Sequence, residues 1–103
     1  MRVVWSPRAL ERVEAIARTI AGDRPVAAER WVRAIFARVA QLRDHAESGP
    51  VVPELSRPEV RQLQSPPYRI IYRVEARRVL ILTIRHGRQE LKSSRDGEAE
   101  TFE

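Results

Sequence analysis

The sequence predicts an α+β fold: one small domain in which an N-terminal strand and a helical hairpin pack on an antiparallel β-sheet, in the order β-α-α-β-β-β. In the first half of the chain, apolar residues recur at three- and four-residue spacing over two stretches, which is typical of amphipathic helices. The second half holds short runs of β-branched and aromatic residues between turn-forming residues, which is typical of strands. Helices that cover one side of such a sheet would complete a single core.

The first strand and the first helix meet at a capping sequence. Residues 2–5 form a short apolar run, and Ser6-Pro7 follows it. Serine accepts a hydrogen bond at the N-cap, and proline suits the first helical position because its missing N–H would have no helical partner there. The helix then carries its apolar stripe on Ala9, Leu10, Val13, Ile16, Ala17 and Ile20.

The second helix follows the break at residues 22–25, Gly-Asp-Arg-Pro. A break this short favours an antiparallel hairpin. The helix should end before Ser48-Gly49-Pro50, where glycine and proline stop propagation. Its apolar stripe contains Ala28, Trp31, Val32, Ile35, Phe36, Val39 and Leu42.

Three strands are predicted after an irregular, proline-containing connection over residues 51–58. Residues 60–63 form a plausible strand, and residues 68–74 and 79–86 form a hairpin that turns through residues 75–78. Alternation places Tyr68, Ile70, Tyr72 and Val74 on the face toward the helices, so the two tyrosines are expected to pack in the core rather than to stack on bases. The predicted buried core comprises Leu10, Val13, Ile16, Ala17, Trp31, Ile35, Val39, Ile70 and Tyr72.

The other face of the strand at residues 68–74 carries Arg69, Ile71 and Arg73. Burying arginine is costly, so this face is expected to stay open to solvent or to a partner. An open arginine-bearing face would suit anions or an acidic protein.

Composition limits the class of protein. The chain has 103 residues, 43% of them hydrophobic and 32% charged, and no cysteine, so disulfides and thiolate chemistry are excluded. It has no apolar run near the roughly 20 residues that a membrane span requires, and no signal-peptide pattern. A cytoplasmic protein without membrane association is therefore expected.

The net charge of +5 is unevenly distributed. Residues 57–92 hold nine basic and three acidic residues, a balance of +6, whereas residues 93–103 hold one basic and four acidic residues, a balance of −3. We therefore assign residues 1–92 to the folded domain and residues 93–103 to a polar, acidic tail that is expected to be disordered. The basic region indicates an anionic or acidic partner, or only a solvated cationic surface.

Few residues could carry chemistry. His45 and His86 are the only histidines, and neither sits in a metal-ligand pattern or in a catalytic serine context. The four glycines are scattered, so no phosphate-binding loop is predicted, and we expect no cofactor and no metal. The remaining candidates for a binding surface are Arg61, Arg69, Arg73, Arg85, His86 and Arg88.

Arginines of this kind could bind phosphate and stabilise the transition state of RNA cleavage. His86 is the one residue whose ordinary pKa suits proton transfer there. The alternative interpretation is that His86 ends a strand and that the arginines keep the sheet soluble.

Five sequence features, in the right order over residues 2–91, resemble the RelE/ParE superfamily of bacterial toxins. They are Val4-Trp5-Ser6-Pro7-Arg8-Ala9, Val60-Arg61-Gln62-Leu63, the strand at residues 68–74, Ile84-Arg85-His86-Gly87-Arg88 and the overall order of elements. The resemblance implies the toxin of a type II toxin–antitoxin system, wrapped and neutralised by a cognate antitoxin.

The superfamily divides by target, and the sequence favours the ParE-like branch, which inhibits DNA gyrase. RelE-like members are ribosome-dependent mRNA endoribonucleases. They resemble this chain at Arg69 and Arg88, which with His86 are the candidate catalytic residues under that alternative. However, Val60 and Gln62 stand where those nucleases usually carry lysines, and no tyrosine or histidine follows Arg88. A non-toxic binding protein of the same fold is the third hypothesis.

Overall fold

The computed structural model describes residues 1–87 and has the predicted element order. Two helices follow the first strand, and three strands follow the helices. The elements are β1 (Arg2–Trp5), α1 (Pro7–Ala21), α2 (Pro25–Ala40), a 3-10 helix (Gln41–Arg43), β2 (Val60–Ser65), β3 (Tyr68–Val74) and β4 (Arg78–His86). The predicted α+β class is confirmed.

The four strands form one sheet in the order β1-β4-β3-β2. Strands β2, β3 and β4 are antiparallel neighbours, but β1 pairs in parallel with β4, with Val3 opposite Val79. The sheet is therefore mixed: the three later strands are antiparallel, as predicted, and β1 adds a parallel strand at the edge, a pairing that the sequence did not predict. The helical hairpin between β1 and the later strands gives β1 the long connection that parallel pairing requires.

Ser6 fixes the start of α1 against the centre of the sheet. Its Oγ accepts a hydrogen bond from the Ala9 backbone N–H at 3.0 Å and donates one to the Leu82 carbonyl, also at 3.0 Å. Pro7 occupies the first turn, as predicted. The capping residue thus ties α1 to β4 as well as capping the N-terminus of the helix.

The main core lies between the helices and the sheet. Ile35, Ile70 and Tyr72 are fully buried in it, and Val13, Ile16 and Val39 are buried beside them, all as predicted. Ala17 and Trp31 are half-buried. The prediction for Leu10 is wrong, since 46% of this residue is exposed. An α-helix turns by about 100° per residue, so with Ala9 pointing into the core its neighbour Leu10 points away.

A second, smaller core lies on the outer face of the sheet, the side away from the helices. The connection over residues 51–59 folds back across this face, and Val52 and Leu55 pack against Ile71, Leu80 and Leu82. The expectation that this face is open is therefore wrong. Apolar residues on both faces of β3 and β4 make burial of the outer face favourable.

Across residues 1–87, neither helix is long and apolar enough to cross a membrane.

Candidate functional site

Arg69 is buried on the outer face and is held by polar side chains. Only 5% of the residue is exposed. Its two terminal nitrogens donate to the two carboxylate oxygens of Glu54 at 3.1 and 2.7 Å, and Nη1 also donates to Gln62 Oε1 at 2.9 Å. A bidentate carboxylate partner is what makes a buried guanidinium tolerable. This group therefore joins the connection at Glu54 to β2 and β3.

Arg85 lies directly opposite Arg69 across the β3–β4 pair. Alternation places both side chains on the outer face, and Arg85 is partly buried. Side chains at directly opposed positions are about 5 Å apart at Cβ. Two cationic side chains therefore lie side by side at this end of the outer face, and the Glu54 carboxylate pairs with one of them, Arg69.

Arg73 lies toward the other end of β3, four residues from Arg69, which is about 13 Å along the strand. Its guanidinium binds Glu75, which also accepts a hydrogen bond from Arg78 Nε. Burial raises the pKa of Glu75, but hydrogen bonds from Arg78 and Arg73 outweigh it and the net pKa is lowered. These contacts close the β3–β4 hairpin, so Arg73 has a structural partner.

Arg61 lies on the helix-facing side, because it is opposite Tyr72 in the β2–β3 pair. Its Nη1 donates to the Gly49 carbonyl at 2.8 Å and more weakly to the Glu47 carbonyl at 3.3 Å. Gly49 in turn donates its backbone N–H to the Tyr72 hydroxyl at 3.0 Å. Burial raises the pKa of that hydroxyl, against the opposing effect of the Gly49 hydrogen bond. Arg61 thus anchors the chain after the 3-10 helix.

His86 is exposed at the end of β4, on the helix-facing side. It is opposite Tyr68, and the two ring centroids are 6.0 Å apart. Tyr68 contacts Trp31 edge-on at 5.5 Å. An aromatic row of Trp31, Tyr68 and His86 therefore borders α2 and the strand ends.

The structure does not bring the predicted site residues into one cluster. Arg69, Arg73 and Arg85 share the outer face, whereas Arg61 and His86 lie on the helix-facing side. Arg88 lies outside the described residues. In particular, Arg69 and His86 are separated by the sheet, so they do not face a common substrate position.

Glu54 is the site residue that sequence reasoning missed. It lies in the irregular connection after Pro53, where no periodicity indicates which way a side chain points. In the sequence, Gln62 stands out only because it occupies a position where RelE-like nucleases usually carry a lysine. The one sequence signal is the position of Arg69 between apolar strand residues. Burying an arginine there is costly, so a carboxylate from elsewhere in the chain is expected to approach it.

No metal site is apparent in the part of the chain that the structure describes: residues 1–87 contain no cluster of three or more potential His, Cys, Asp or Glu ligands.

Comparison with known proteins assigns the family. Residues 3–91 match the model of a family described as the ParE toxin of the type II toxin–antitoxin system parDE. The chain belongs to the ParE toxin family. A comparison with curated proteins gives no match to this ParE-family toxin. Among solved structures, the toxin is similar to a chain of the "Chromosomal ParDE TA system from P. aeruginosa", with 27% identity and a TM-score of 0.72. The match covers 84% of this chain and 95% of that chain.

Proposed function

We propose that this ParE-family toxin acts in the cytoplasm by inhibiting DNA gyrase and that a cognate antitoxin neutralises it. Family membership supports the toxin and antitoxin roles. The observation that favours gyrase over RNA is the state of Arg69, the position that resembles a nuclease active site. It is buried and bound to Glu54 rather than presented to a phosphate.

The surroundings of Arg69 also argue against RNA cleavage. Cleavage needs a phosphate-binding cation together with groups that remove and deliver protons. Val60 is fully buried in the outer-face core, and Gln62 is bonded to Arg69. His86, the candidate proton-transfer residue, lies on the other side of the sheet. Inhibition by binding requires none of these groups to meet.

The candidate contact surface is the end of the sheet where Arg85 and His86 lie. His86 is exposed there, and Arg85 is partly exposed. A cationic and aromatic surface of this kind suits an acidic protein partner. We infer that the antitoxin acts by covering this end of the molecule, so that gyrase cannot reach it.

A supercoiling assay with purified DNA gyrase tests the proposal. The toxin is expected to block supercoiling, and stoichiometric antitoxin to restore it. Arg85→Ala and His86→Ala should each weaken inhibition about tenfold, the effect of losing roughly 1.4 kcal/mol of binding. The matched control is Arg43→Ala, an exposed arginine near the opposite end of the sheet, where the Met1 amino group binds its carbonyl; it should inhibit like the unmodified protein.

Ribosome-dependent mRNA cleavage by the same preparation, with gyrase unaffected, would contradict the proposal and support the endoribonuclease alternative. A protein that is harmless on expression in bacteria would support the non-toxic alternative.

A further inference from the structure

An apolar groove lies beside the first two turns of α2. Its lining includes Arg24, Val26, Ala27, Arg30, Trp31 and Ala34, and we call it the Trp31 groove. Val26 is 62% exposed and Trp31 is half-buried, so the groove presents large apolar groups to solvent. A smaller depression, whose lining includes Trp31, Pro67 and Tyr68, continues it toward the strand ends. Contiguous apolar surface flanked by charge is typical of a binding site.

Two arginines border this groove and form no ion pair within residues 1–87. Arg24 and Arg30 are both exposed, and across residues 1–87 no carboxylate lies within ion-pair distance of either. Two other exposed arginines of the hairpin differ, since Arg18 pairs with Glu14 and Arg33 with Glu29. The Trp31 groove is therefore apolar along its floor and cationic at its rim.

The chain leaves the sheet next to this groove. Strand β4 ends at His86, whose ring centroid is 6.0 Å from that of Tyr68, and Tyr68 is 5.5 Å from Trp31. Residues 88–103 follow this exit. Extended at about 3.3 Å per residue, they could span about 50 Å, several times the distance to the groove.

The composition of the C-terminal residues complements the groove. Residues 93–103 include Asp96, Glu98, Glu100 and Glu103 against one arginine, and they end in Phe102-Glu103. The carboxylates match Arg24 and Arg30, and Phe102 is an apolar side chain of the size that a surface aromatic groove accommodates. Covalent linkage supplies the segment at millimolar effective concentration, so weak contacts suffice to hold it.

We propose that the Trp31 groove is the docking site of the toxin's own C-terminal segment, residues 96–103. Phe102 is the apolar anchor, and the acidic side chains pair with Arg24 and Arg30. This inference does not depend on the cellular target. It adds an intramolecular occupant that an antitoxin or target protein must displace before it binds this part of α2.

Paramagnetic relaxation in the 103-residue chain tests the docking. Because the sequence has no cysteine, Thr101→Cys introduces the sole attachment point for a nitroxide spin label. Docking predicts selective loss of the Trp31 indole N–H resonance, and of the backbone amide resonances of α2 near Val26 and Ala34. The Trp5 indole resonance, identified through Trp5→Phe, should lose less intensity, because Trp5 packs on Phe36 rather than on the groove.

Charge variants of the spin-labelled chain provide the matched comparison. Arg24→Glu with Arg30→Glu should restore the Trp31 resonance, and so should Phe102→Ala. Arg18→Glu with Arg33→Glu makes the same change in net charge on the same two-helix hairpin but should leave the resonance broadened.

Three results would overturn the proposal. The first is a Trp31 resonance that persists in the spin-labelled chain. The second is equal recovery in the two arginine pairs, which would indicate a non-specific charge effect. The third is broadening when unlabelled ¹⁵N chain is mixed with spin-labelled ¹⁴N chain, which would mean that the segment docks on a second copy.

Discussion

At the scale of single residues, environment decides what the arginines of this chain do. Arg69 and Arg73 lie on the same face of one strand, on either side of Ile71, so alternation predicts the same surroundings for both. In the structure Arg69 is buried by the connection that carries Glu54, whereas Arg73 closes a hairpin through Glu75. Each arginine therefore has a carboxylate partner within the fold, Glu54 for Arg69 and Glu75 for Arg73.

We predict that the Arg69–Glu54 pair is strongly coupled in stability. Arg69→Ala should lower the free energy of unfolding by about 3–5 kcal/mol, because it leaves the Glu54 carboxylate partly buried without its main partner. Combining Arg69→Met with Glu54→Leu should recover much of that loss, since it removes both charges and keeps apolar volume. Urea unfolding of the single and double variants measures the coupling. If Arg69→Ala unfolds at the same urea concentration as the unmodified protein, the pair has no stabilising role.

At the scale of elements, the β3–β4 hairpin is held at its turn by a shared carboxylate. Glu75 accepts hydrogen bonds from Arg73 in β3 and from Arg78 in β4, and the Glu75 backbone N–H donates to the Arg78 carbonyl at 2.9 Å. A polar turn sequence predicts the reversal here. The ion-pair network additionally makes the strength of the turn depend on pH.

The lowered pKa of Glu75 sets the direction of that dependence. The folded chain keeps this carboxylate charged to lower pH than the unfolded chain does. The contribution of the Glu75 carboxylate to the free energy of unfolding is therefore complete above the pKa of an unfolded glutamate, about 4.3. It is lost as pH falls through the lower pKa of the folded state.

We therefore expect Glu75→Gln to destabilise the toxin at pH 7 and the difference from the unmodified protein to shrink below about pH 4. Urea unfolding across this pH range measures the difference. Glu29→Gln is the control, because Glu29 and Arg33 form an exposed pair, with side chains 72% and 81% accessible, and such pairs contribute little. A difference between Glu75→Gln and the unmodified protein that stays constant with pH would contradict the assignment.

At the scale of the whole molecule, one sheet separates two cores of unequal size. The helices cover one face, and the connection over residues 51–59 covers the other. Two buried faces leave little of β3 and β4 in contact with solvent, so partners can meet the domain at the strand ends, the helices and the sheet edges. Both proposed interfaces accordingly lie at the end of the sheet near His86 and Trp31.

We predict that helix positions contribute very differently to the free energy of unfolding, depending on whether their side chains reach the main core. Ile35→Ala should lower the free energy of unfolding by about 2–5 kcal/mol, because it leaves a cavity in the main core as well as losing buried surface. Leu10→Ala, at a half-exposed position, should cost well under half as much. Thermal and urea unfolding of both variants measure this. Equal losses at the two positions would show that α1 packs differently.

Local chemistry made much of the fold predictable. Ser6 and Pro7 specify the start of α1, the helical stripes specify two amphipathic helices, and alternation specifies which side of β3 meets them. The resemblance over residues 2–91 likewise pointed to the toxin family that the comparison shows. These features are encoded within a few residues of one another, or in the order of short segments.

The parallel pairing of β1, the covered outer face and the separation of Arg69 from His86 were decided only by the tertiary structure. Each depends on contacts between residues distant in sequence: Val3 with Val79, Glu54 with Arg69, and Tyr68 with His86. A strand pattern specifies two faces but not what covers them. The sequence by itself determined the elements and the family of this protein, whereas long-range packing decided which charged groups remain available to a partner.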